Sequence, residues 1–378
     1  MAANFKVGGV DTDELFIPKS AVWQPGERNT LWSWGYNYYG QLGLGHNSNR
    51  SSPTQVGTLS NWRSVSTKGV FAHACKSDGT LWAWGNNPNG AFGDGTTVSK
   101  SSPVQIGSLS DWSEVSAGGG HSISIKTNGT LWAWGVNGNG ALGDGTTVSK
   151  SSPVQIGSLN DWSEVSCGYL HSTARKTDGT LWVWGRNYDG QLGDGTRTHR
   201  SSPVQIGSLT SWVVVSGGYY HTCAIQSNGT LWTWGKNDVG QLGSGSTLPR
   251  SSPVQVGTLT NWSMCSGAYK QSAAIKTDGT LWTWGLNSYG QLGLNHSTNI
   301  SSPAQVGSLT NWLDVSGGQT PNMARKTDGT LWSWGGNIAG ELGQGDLVHR
   351  YSPVQVGTLT NWSDVACGVN HTIAIQSI

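Results

Sequence analysis

Histidine ligates metals and transfers protons near neutral pH, and four histidines recur in this sequence in one local setting. Each precedes a Ser or Thr and begins a short apolar run, at intervals that are multiples of fifty residues. They are His121, His171, His221 and His371. A metal or catalytic site would need these side chains to converge with one another or with a carboxylate. The equivalent positions elsewhere hold Phe71, Gln271 and Pro321, so the set is incomplete and structural hydrogen bonding is the favoured interpretation.

The position two residues before these histidines carries tyrosine in three consecutive copies of the same pattern. The tyrosines are Tyr169, Tyr219 and Tyr269, and two of them are followed directly by Tyr220 and Lys270. Tyrosine offers a large, rigid contact area with a polar tip, as interface anchors do. Binding of a partner and internal packing around a central shaft are both open interpretations.

Two arginines also depart from the pattern. Arg175 and Arg325 stand where the other copies carry Ile or Cys. A cation in place of an apolar side chain needs either a partner or solvent. We therefore group Arg175 and Arg325 with the tyrosines and Lys270 as candidate partner-binding residues.

The remaining chemistry-bearing residues follow the repeat and do not stand apart from it. The three GDGT segments, at 93–96, 143–146 and 193–196, offer one carboxylate each, which suits a turn better than a calcium loop. The five cysteines are far apart and fit small buried packing residues. The sequence contains no nucleophile elbow, phosphate loop or HExxH motif. We expect a protein that is not an enzyme and that uses no metal or cofactor.

The elements that position these residues are seven copies of one unit. The pentad LWxWG begins every fifty residues, from Leu31 to Leu331, and a third tryptophan follows in each period, from Trp62 to Trp362. These positions account for 21 of the 22 tryptophans, and only Trp23 lies outside. Such strict periodicity predicts a repeat architecture.

Each period contains four short strands. An Asp-Gly or Asn-Gly pair between apolar runs, as in 173–185, predicts a tight hairpin. The proline of the segment 151–157 confines that strand to a sheet edge. Four strands per unit are typical of a propeller blade, with an open solenoid as the alternative. The seventh Asp-Gly turn is missing, because its place in the repeat falls between the last strand, 371–377, and the first, 29–35. Each of these strands would be an exposed edge alone, and pairing them with each other would remove both edges. We predict an all-β, closed seven-bladed propeller whose terminal blade joins strands from both ends.

This repeat places the domain boundary at residue 29, with a propeller at 29–378 and an attachment or strap segment at 1–28. The start of the chain has no secretory signal, and no apolar run is long enough for a transmembrane helix. Lys and Arg number 22 against 21 Asp and Glu, without a basic run. We therefore expect neither nucleic acid as a partner nor membrane insertion.

The segment 171–196, with its His-Ser, short apolar strand, Gly turn, Trp-Gly and Gly-Gln-Leu-Gly, resembles the regulator of chromosome condensation repeat family. The resemblance covers 350 of the 378 residues and implies a seven-bladed propeller with an interlocked terminal blade. The founding member is a nucleotide exchange factor for a small GTPase that also binds chromatin. That resemblance would further imply an inserted wedge and a basic tail, whereas every period here is fifty residues long and residues 1–28 are of mixed charge.

Residues 5–21 resemble the leading segment of virion and tail-associated proteins of tailed phages. This resemblance implies a non-catalytic virion component, associated with tail or capsid, whose first 28 residues bind other virion proteins. The propeller would then face outward and bind a host receptor or glycan. The predicted location is the virion, or otherwise the cytoplasm. The alternative is a regulatory propeller that acts on a small GTPase or inhibits an enzyme by face-on binding.

Overall fold

The protein forms a ring of seven antiparallel four-stranded sheets, which we number blades 1 to 7. This computed structural model describes residues 6–7, 10–11 and 28–378. Within residues 28–378 every regular element is a strand, and no helix of the described residues could span a membrane. The closed propeller predicted from the repeat is therefore confirmed.

The strands occur in chain order as follows. A separate antiparallel pair comprises β1 (Lys6–Val7) and β2 (Val10–Asp11). The outer half of blade 7 comprises β3 (Asn29–Gly35) and β4 (Arg50–Gln55). Blade 1 comprises β5 (Trp62–Thr67), β6 (Phe71–Lys76), β7 (Leu81–Gly85) and β8 (Lys100–Gln105). Blade 2 comprises β9 (Trp112–Ala117), β10 (His121–Lys126), β11 (Leu131–Gly135) and β12 (Lys150–Gln155). Blade 3 comprises β13 (Trp162–Cys167), β14 (His171–Lys176), β15 (Leu181–Gly185) and β16 (Arg200–Gln205).

The second half of the chain repeats the arrangement. Blade 4 comprises β17 (Trp212–Gly217), β18 (His221–Gln226), β19 (Leu231–Gly235) and β20 (Arg250–Gln255). Blade 5 comprises β21 (Trp262–Gly267), β22 (Gln271–Lys276), β23 (Leu281–Gly285) and β24 (Ile300–Gln305). Blade 6 comprises β25 (Trp312–Gly317), β26 (Pro321–Lys326), β27 (Leu331–Gly335) and β28 (Arg350–Gln355). The inner half of blade 7 comprises β29 (Trp362–Cys367) and β30 (His371–Ser377).

Blade 7 closes the ring by pairing the two ends of the propeller. Its strand order is β29-β30-β3-β4, and seven residue pairs join β3 to β30, from Asn29 with Ser377 to Gly35 with His371. Because both strands would otherwise be exposed edges, this pairing removes a route to aggregation. The outermost strands hold the prolines at positions 53 to 353, where a missing ladder donor is tolerated.

The repeated tryptophans bind each blade to the one before it. The second indole of every LWxWG donates to a backbone carbonyl in the loop of the preceding blade, as Trp184 does to Ala141 at 2.8 Å and Trp34 to Glu341 at 2.9 Å. The first indole instead donates within its own blade, as Trp182 does to Thr180. Each apolar cluster therefore combines residues of two neighbouring blades, and the ring is held together by its own repeat.

The Asp-Gly turn needs glycine for a local reason. Gly179 adopts a φ of +78°, and a Cβ atom there would lie 2.1 Å from the carbonyl oxygen of Thr210. The preceding Asp178 accepts hydrogen bonds from the backbone and hydroxyl of Thr180. The turn is thus fixed by both of its residues, as the sequence predicts.

The two faces of the ring differ in their loops. We call the upper face the one that carries the loops after the first and third strands of each blade. The lower face carries the Asp-Gly turns and the loops that connect successive blades. The first strand of each blade is innermost and surrounds the central channel, so residues at its end lie at the upper mouth of that channel.

Candidate functional site

Three of the predicted tyrosines meet at the upper mouth of the channel. The rings of Tyr169 and Tyr219 stack with centroids 4.7 Å apart and planes 10° apart, and Tyr269 meets Tyr219 edge-on at 4.9 Å. Tyr219 is only 4% exposed, whereas Tyr169 and Tyr269 are half-buried. Tyr219 therefore packs internally, and its neighbours present their rings at the surface.

Lys68, from the loop of blade 1, reaches across the channel to this cluster. Its ammonium donates to the carbonyl oxygen of Cys167 at 2.9 Å and also to that of Gly217. The hydroxyl of Tyr219 in turn donates to the backbone carbonyl of Lys68 at 3.0 Å. Burial raises the pKa of Tyr219, so its hydroxyl stays a neutral donor. Lys68 and Tyr219 together plug the upper mouth.

Basic side chains surround the tyrosines on blades 3 to 5. The guanidinium of Arg186 lies 4.7 Å from the ring centroid of Tyr220, and the Lys236 ammonium lies 5.4 Å from the same ring. Asp238 lies between Lys236, at 3.7 Å, and Lys270, at 2.7 Å. Partial burial opposes ionisation of Asp238, but hydrogen bonds from Lys270 and Gln241 hold its pKa below the ordinary value.

We refer to this surface as the upper-face patch. Its members come from four blades of the ring and converge around the plugged mouth. They are Lys68, Tyr169, Arg186, Tyr219, Tyr220, Lys236, Asp238, Tyr269 and Lys270. Rigid aromatic rings beside arginine and lysine are the composition of a protein-binding hot spot. Four cations, Lys68, Arg186, Lys236 and Lys270, lie against two carboxylates, Asp238 and the Asp189 that pairs with Arg186 at 3.5 Å, so the net positive patch suits an acidic partner surface.

The four repeated histidines lie beneath this mouth and are fully buried. Each donates from Nε2 to a hydroxyl of the next blade, as His121 does to Ser172 at 2.9 Å and His371 to Thr67 at 3.0 Å. The direction is fixed because each hydroxyl already donates to a carbonyl, as Ser172 does to Ala141 at 2.7 Å. The histidines therefore link neighbouring blades around the channel.

The environment of the other ring nitrogen, Nδ1, explains why the pKa values of these histidines are lowered. Nδ1 of His121, His171, His221 and His371 is buried without a hydrogen-bond partner. Protonation would place a charged, unpaired N–H there, which burial disfavours. Burial accordingly lowers the pKa of His121 to about 4 and those of His221 and His371 to about 3, and it lowers the pKa of His171 well below 6.5.

Arg175 and Arg325 do not belong to the upper-face patch. Arg175 pairs with Glu164 at 3.1 Å, and Arg325 pairs with Asp314 and donates to the carbonyl of Trp362 at 3.0 Å. Both pairs join the first two strands of one blade, towards the lower face. Each arginine thus finds the partner that its position requires, and a role of either in binding stays a prediction.

The sequence patterns missed four of the nine residues of the patch: Lys68, Arg186, Lys236 and Asp238. Arg186 and Lys236 follow the WG of blades 3 and 4, at a position that holds Tyr, Asn, Val, Leu or Gly in the other blades. Comparison of that position among the repeats would have found them. Lys68 gave a signal too, because it replaces the glycine or alanine of the other six blades. Its partners could not be predicted, since they lie on the far side of the channel.

Across residues 28–378 no group of three or more His, Cys, Asp or Glu side chains is placed to hold a metal ion. All five cysteines are buried, as predicted, and burial raises the pKa of Cys75 to about 11. The GDGT carboxylates accept bonds inside their own turns, as Asp144 does from Thr146.

Comparison with known protein families decides the relationship. The RCC1-like domain profile matches residues 114–377, and the regulator of chromosome condensation (RCC1) repeat matches residues 28–67 and 78–125. The chain belongs to the RCC1-like domain family. None of the curated proteins compared with this RCC1-like chain matches its sequence.

Solved structures share the propeller at low sequence identity. Human WBSCR16 is 22% identical, with a TM-score of 0.81 over 93% of this chain and 99% of its own. Prp20p from Saccharomyces cerevisiae, described with its binding properties to Gsp1p and histones, is 19% identical, with a TM-score of 0.83 over 95% and 96%. Yeast RCC1 (Prp20) bound to Kap60 is 18% identical, with a TM-score of 0.84 over 100% and 95%. At these identities the likeness shows the fold alone.

The predicted attachment segment is not tested by these findings. Of residues 1–28, the structure describes only β1, β2 and Arg28. The carbonyl oxygen of Arg28 accepts a hydrogen bond from the backbone N–H of Ile378. The proposed resemblance of this segment to phage proteins receives no support from the family matches, which begin at residue 28.

Proposed function

We propose that this RCC1-like propeller is a non-catalytic regulatory protein that binds a protein partner face-on through the upper-face patch. The partner class that we propose is a small GTPase. The observation that carries the proposal is the convergence of Tyr220, Arg186 and Lys236 at the channel mouth, where the rings are half-buried and the cations lie within 5.4 Å. Family membership supports the regulatory role, since Prp20p is described as binding Gsp1p.

The electrostatics of the patch agree with such a partner. Arg186 lies 3.5 Å from Asp189 and Lys236 lies 3.7 Å from Asp238, and the two cationic side chains keep 22% and 29% of their surface exposed. Positive groups at an interface rim accelerate encounter with an acidic surface, while the aromatic centre supplies affinity. The rigid plug formed by Lys68 and Tyr219 beneath them limits the conformational entropy that binding would cost.

The test measures release of fluorescent GDP from a panel of purified small GTPases, with the propeller added at increasing concentration. We expect at least one GTPase to bind and to release nucleotide faster. Tyr220→Ala should weaken that binding by roughly thirtyfold, the effect of losing a hot-spot side chain worth about 2 kcal/mol. Arg186→Ala should lower the association rate and its dependence on salt.

The matched control is Tyr38→Ala. Tyr38 lies on an upper-face loop of blade 7 and is 65% exposed, but it is not part of the upper-face patch. Its replacement should leave binding unchanged. Equal losses for Tyr38→Ala and Tyr220→Ala would contradict the assignment of the patch. Absence of binding and of faster release across the panel would contradict the GTPase as partner.

A further inference from the structure

The chain uses its own lysines to cover a pair of tryptophans in five blades. In each, the ammonium lies over two indole rings, one from the first strand and one from the third, at 3.6 to 5.1 Å from their centroids. The lysines are Lys76, Lys126, Lys176, Lys276 and Lys326. A cation over two electron-rich ring faces is stabilised by both quadrupoles.

Blade 4 keeps the two tryptophans but lacks the cation. Trp212 and Trp232 meet edge-on with centroids 6.3 Å apart and planes 79° apart, close to the 6.1 Å and 80° of Trp112 and Trp132 in blade 2. Gln226 occupies the lysine position. Its side chain is shorter and uncharged, so it does not replace the ammonium over the rings.

The amide of Gln226 is also unsatisfied. Gln226 is only 6% exposed, and its Nε2 has no hydrogen-bond partner. A groove of about 410 Å³ lies against it, bordered by Trp212, Trp232 and the loop of blade 3 that contains Asp194. A buried polar group without a partner costs about 1–3 kcal/mol. As placed, Nε2 is an N–H donor, so a cationic ligand gains this energy only when the amide turns its oxygen to the same position.

In blade 7 glutamine also replaces the lysine, but its amide is hydrogen-bonded within the blade. There Gln376 takes the lysine position, but its Nε2 donates to Asn361 at 3.1 Å. Blade 4 has Ser211 at the position of Asn361, which is too short to do the same. Among the seven described blades, blade 4 therefore combines a tryptophan pair that lacks a cation with an unpaired amide, although Trp212 itself is only 2% exposed.

The charges around the groove do not exclude a cation. Arg200 borders it, but its guanidinium pairs with the Asp194 carboxylate at 2.8 Å, so the two charges offset one another. The Gln226 amide can turn its oxygen towards a donor, because oxygen and nitrogen exchange by rotation of the group.

We propose that this groove between blades 3 and 4 binds the alkylammonium end of a lysine side chain from a partner polypeptide. The incoming lysine takes the place that the chain's own lysine takes in five other blades. Its ammonium faces Trp212 and Trp232 and donates to the amide oxygen of Gln226. This site shares no residue with the upper-face patch, so the two proposals stand independently.

The probe is the peptide acetyl-Gly-Gly-Lys-Gly-Gly-amide, titrated into the isotope-labelled full chain, with indole N–H signals followed by NMR. We expect saturable shifts of the Trp212 and Trp232 signals. The same peptide with norleucine in place of lysine should bind at least roughly fivefold more weakly, since it lacks the cation. The signals of Trp32 and Trp362 in blade 7 should not move, since Gln376 is satisfied there.

Two variants supply the missing partner in ways that the chain itself uses. Gln226→Lys copies the five lysine blades and Ser211→Asn copies blade 7, so both should abolish the shifts while the fold is kept. Gln226→Lys should also raise the thermal midpoint, because it supplies an internal cation. The proposal is overturned if either variant binds the peptide as the parent does, or if norleucine and lysine peptides bind equally.

Discussion

Acid should destabilise this propeller through its buried histidines before its carboxylates titrate. The perturbation is His121→Gln/His221→Gln, which copies Gln271 of blade 5, where the amide donates to the carbonyl of Gly318 at 3.1 Å. The pKa of His121 is lowered by burial to about 4 and that of His221 to about 3. The folded state therefore excludes a proton that the unfolded chain accepts from about pH 6.5 downward.

The magnitude follows from this difference in proton uptake. At pH 5.5, protonation of a histidine with a pKa of about 6.5 lowers the free energy of the unfolded state by about 1.4 kcal/mol, relative to a histidine that stays neutral. At pH 7.5 this stabilisation of the unfolded state is nearly zero. Five histidines are fully buried with lowered pKa values: His73, His121, His171, His221 and His371. Together they cost about 7 kcal/mol at pH 5.5, a large part of a typical free energy of unfolding of about 5–15 kcal/mol.

The assay is urea unfolding, followed by tryptophan fluorescence at pH 7.5 and pH 5.5. Between these two pH values, the free energy of unfolding should fall by about 3 kcal/mol less in the double variant than in the parent, because two of the five histidines are gone. Burial raises the pKa of Glu341 and opposes the trend, but this contribution cancels in the comparison. The control is Leu248→Ala, at a side chain that is 63% exposed and carries no ionisable group, and it should leave the pH dependence unchanged.

An identical loss of stability in the parent and in the double variant would refute this reasoning. The same result would follow if the buried imidazoles were protonated in the folded state at pH 5.5. Their ring carbon signals in NMR measure this directly, and they should show no titration between pH 8 and pH 5.

Two further predictions concern closure of the ring and a partly buried ion pair. Removal of residues 371–378 deletes β30 and exposes the edges of β3 and β29, so light scattering should show self-association; a folded, monodisperse monomer would contradict the closure. Asp314→Met should lower the free energy of unfolding by roughly 2–4 kcal/mol, because Arg325 loses its carboxylate. The double variant Asp314→Met/Arg325→Ile copies Met264 and Ile275 of blade 5 and should recover most of the lost stability. No recovery would show that loss of the ion pair is not the cause.

The sequence predicted the architecture well because the information is local and repeated. Hairpin turns such as Asp178-Gly179, the strand periodicity and the two unpaired ends each constrain the fold without knowledge of distant contacts. The upper-face patch depends on contacts across the ring, such as the reach of Lys68 to Gly217 over 149 positions. Residues of one class at equivalent repeat positions could be recognised from the sequence, but side chains that meet around a channel could not.

Departures from a repeat carry different meanings according to whether the chain compensates for them. A Cβ at Gly168 would lie 1.9 Å from Cε1 of His171, and the blade that replaces this histidine by Gln271 carries Ala268 at the glycine position. This change is matched by its neighbour and keeps the scaffold intact. Gln226 has no such match, because its amide is buried without a partner and its tryptophans lack a cation.

The same criterion separates the arginines from the upper-face patch. Arg325 departs from the repeat but meets Asp314 within its own blade, so its presence is explained by stability. Tyr220 and Arg186 stand at positions that differ from blade to blade, and Arg186 lies 3.5 Å from Asp189 of its own blade, yet both side chains stay partly exposed at the surface. A scaffold gains little from an exposed ring and cation, since surface contacts of this kind contribute only about 0.5–1 kcal/mol. In a ring whose blades are otherwise nearly identical, side chains of this kind at the surface support the partner outside the chain that we propose.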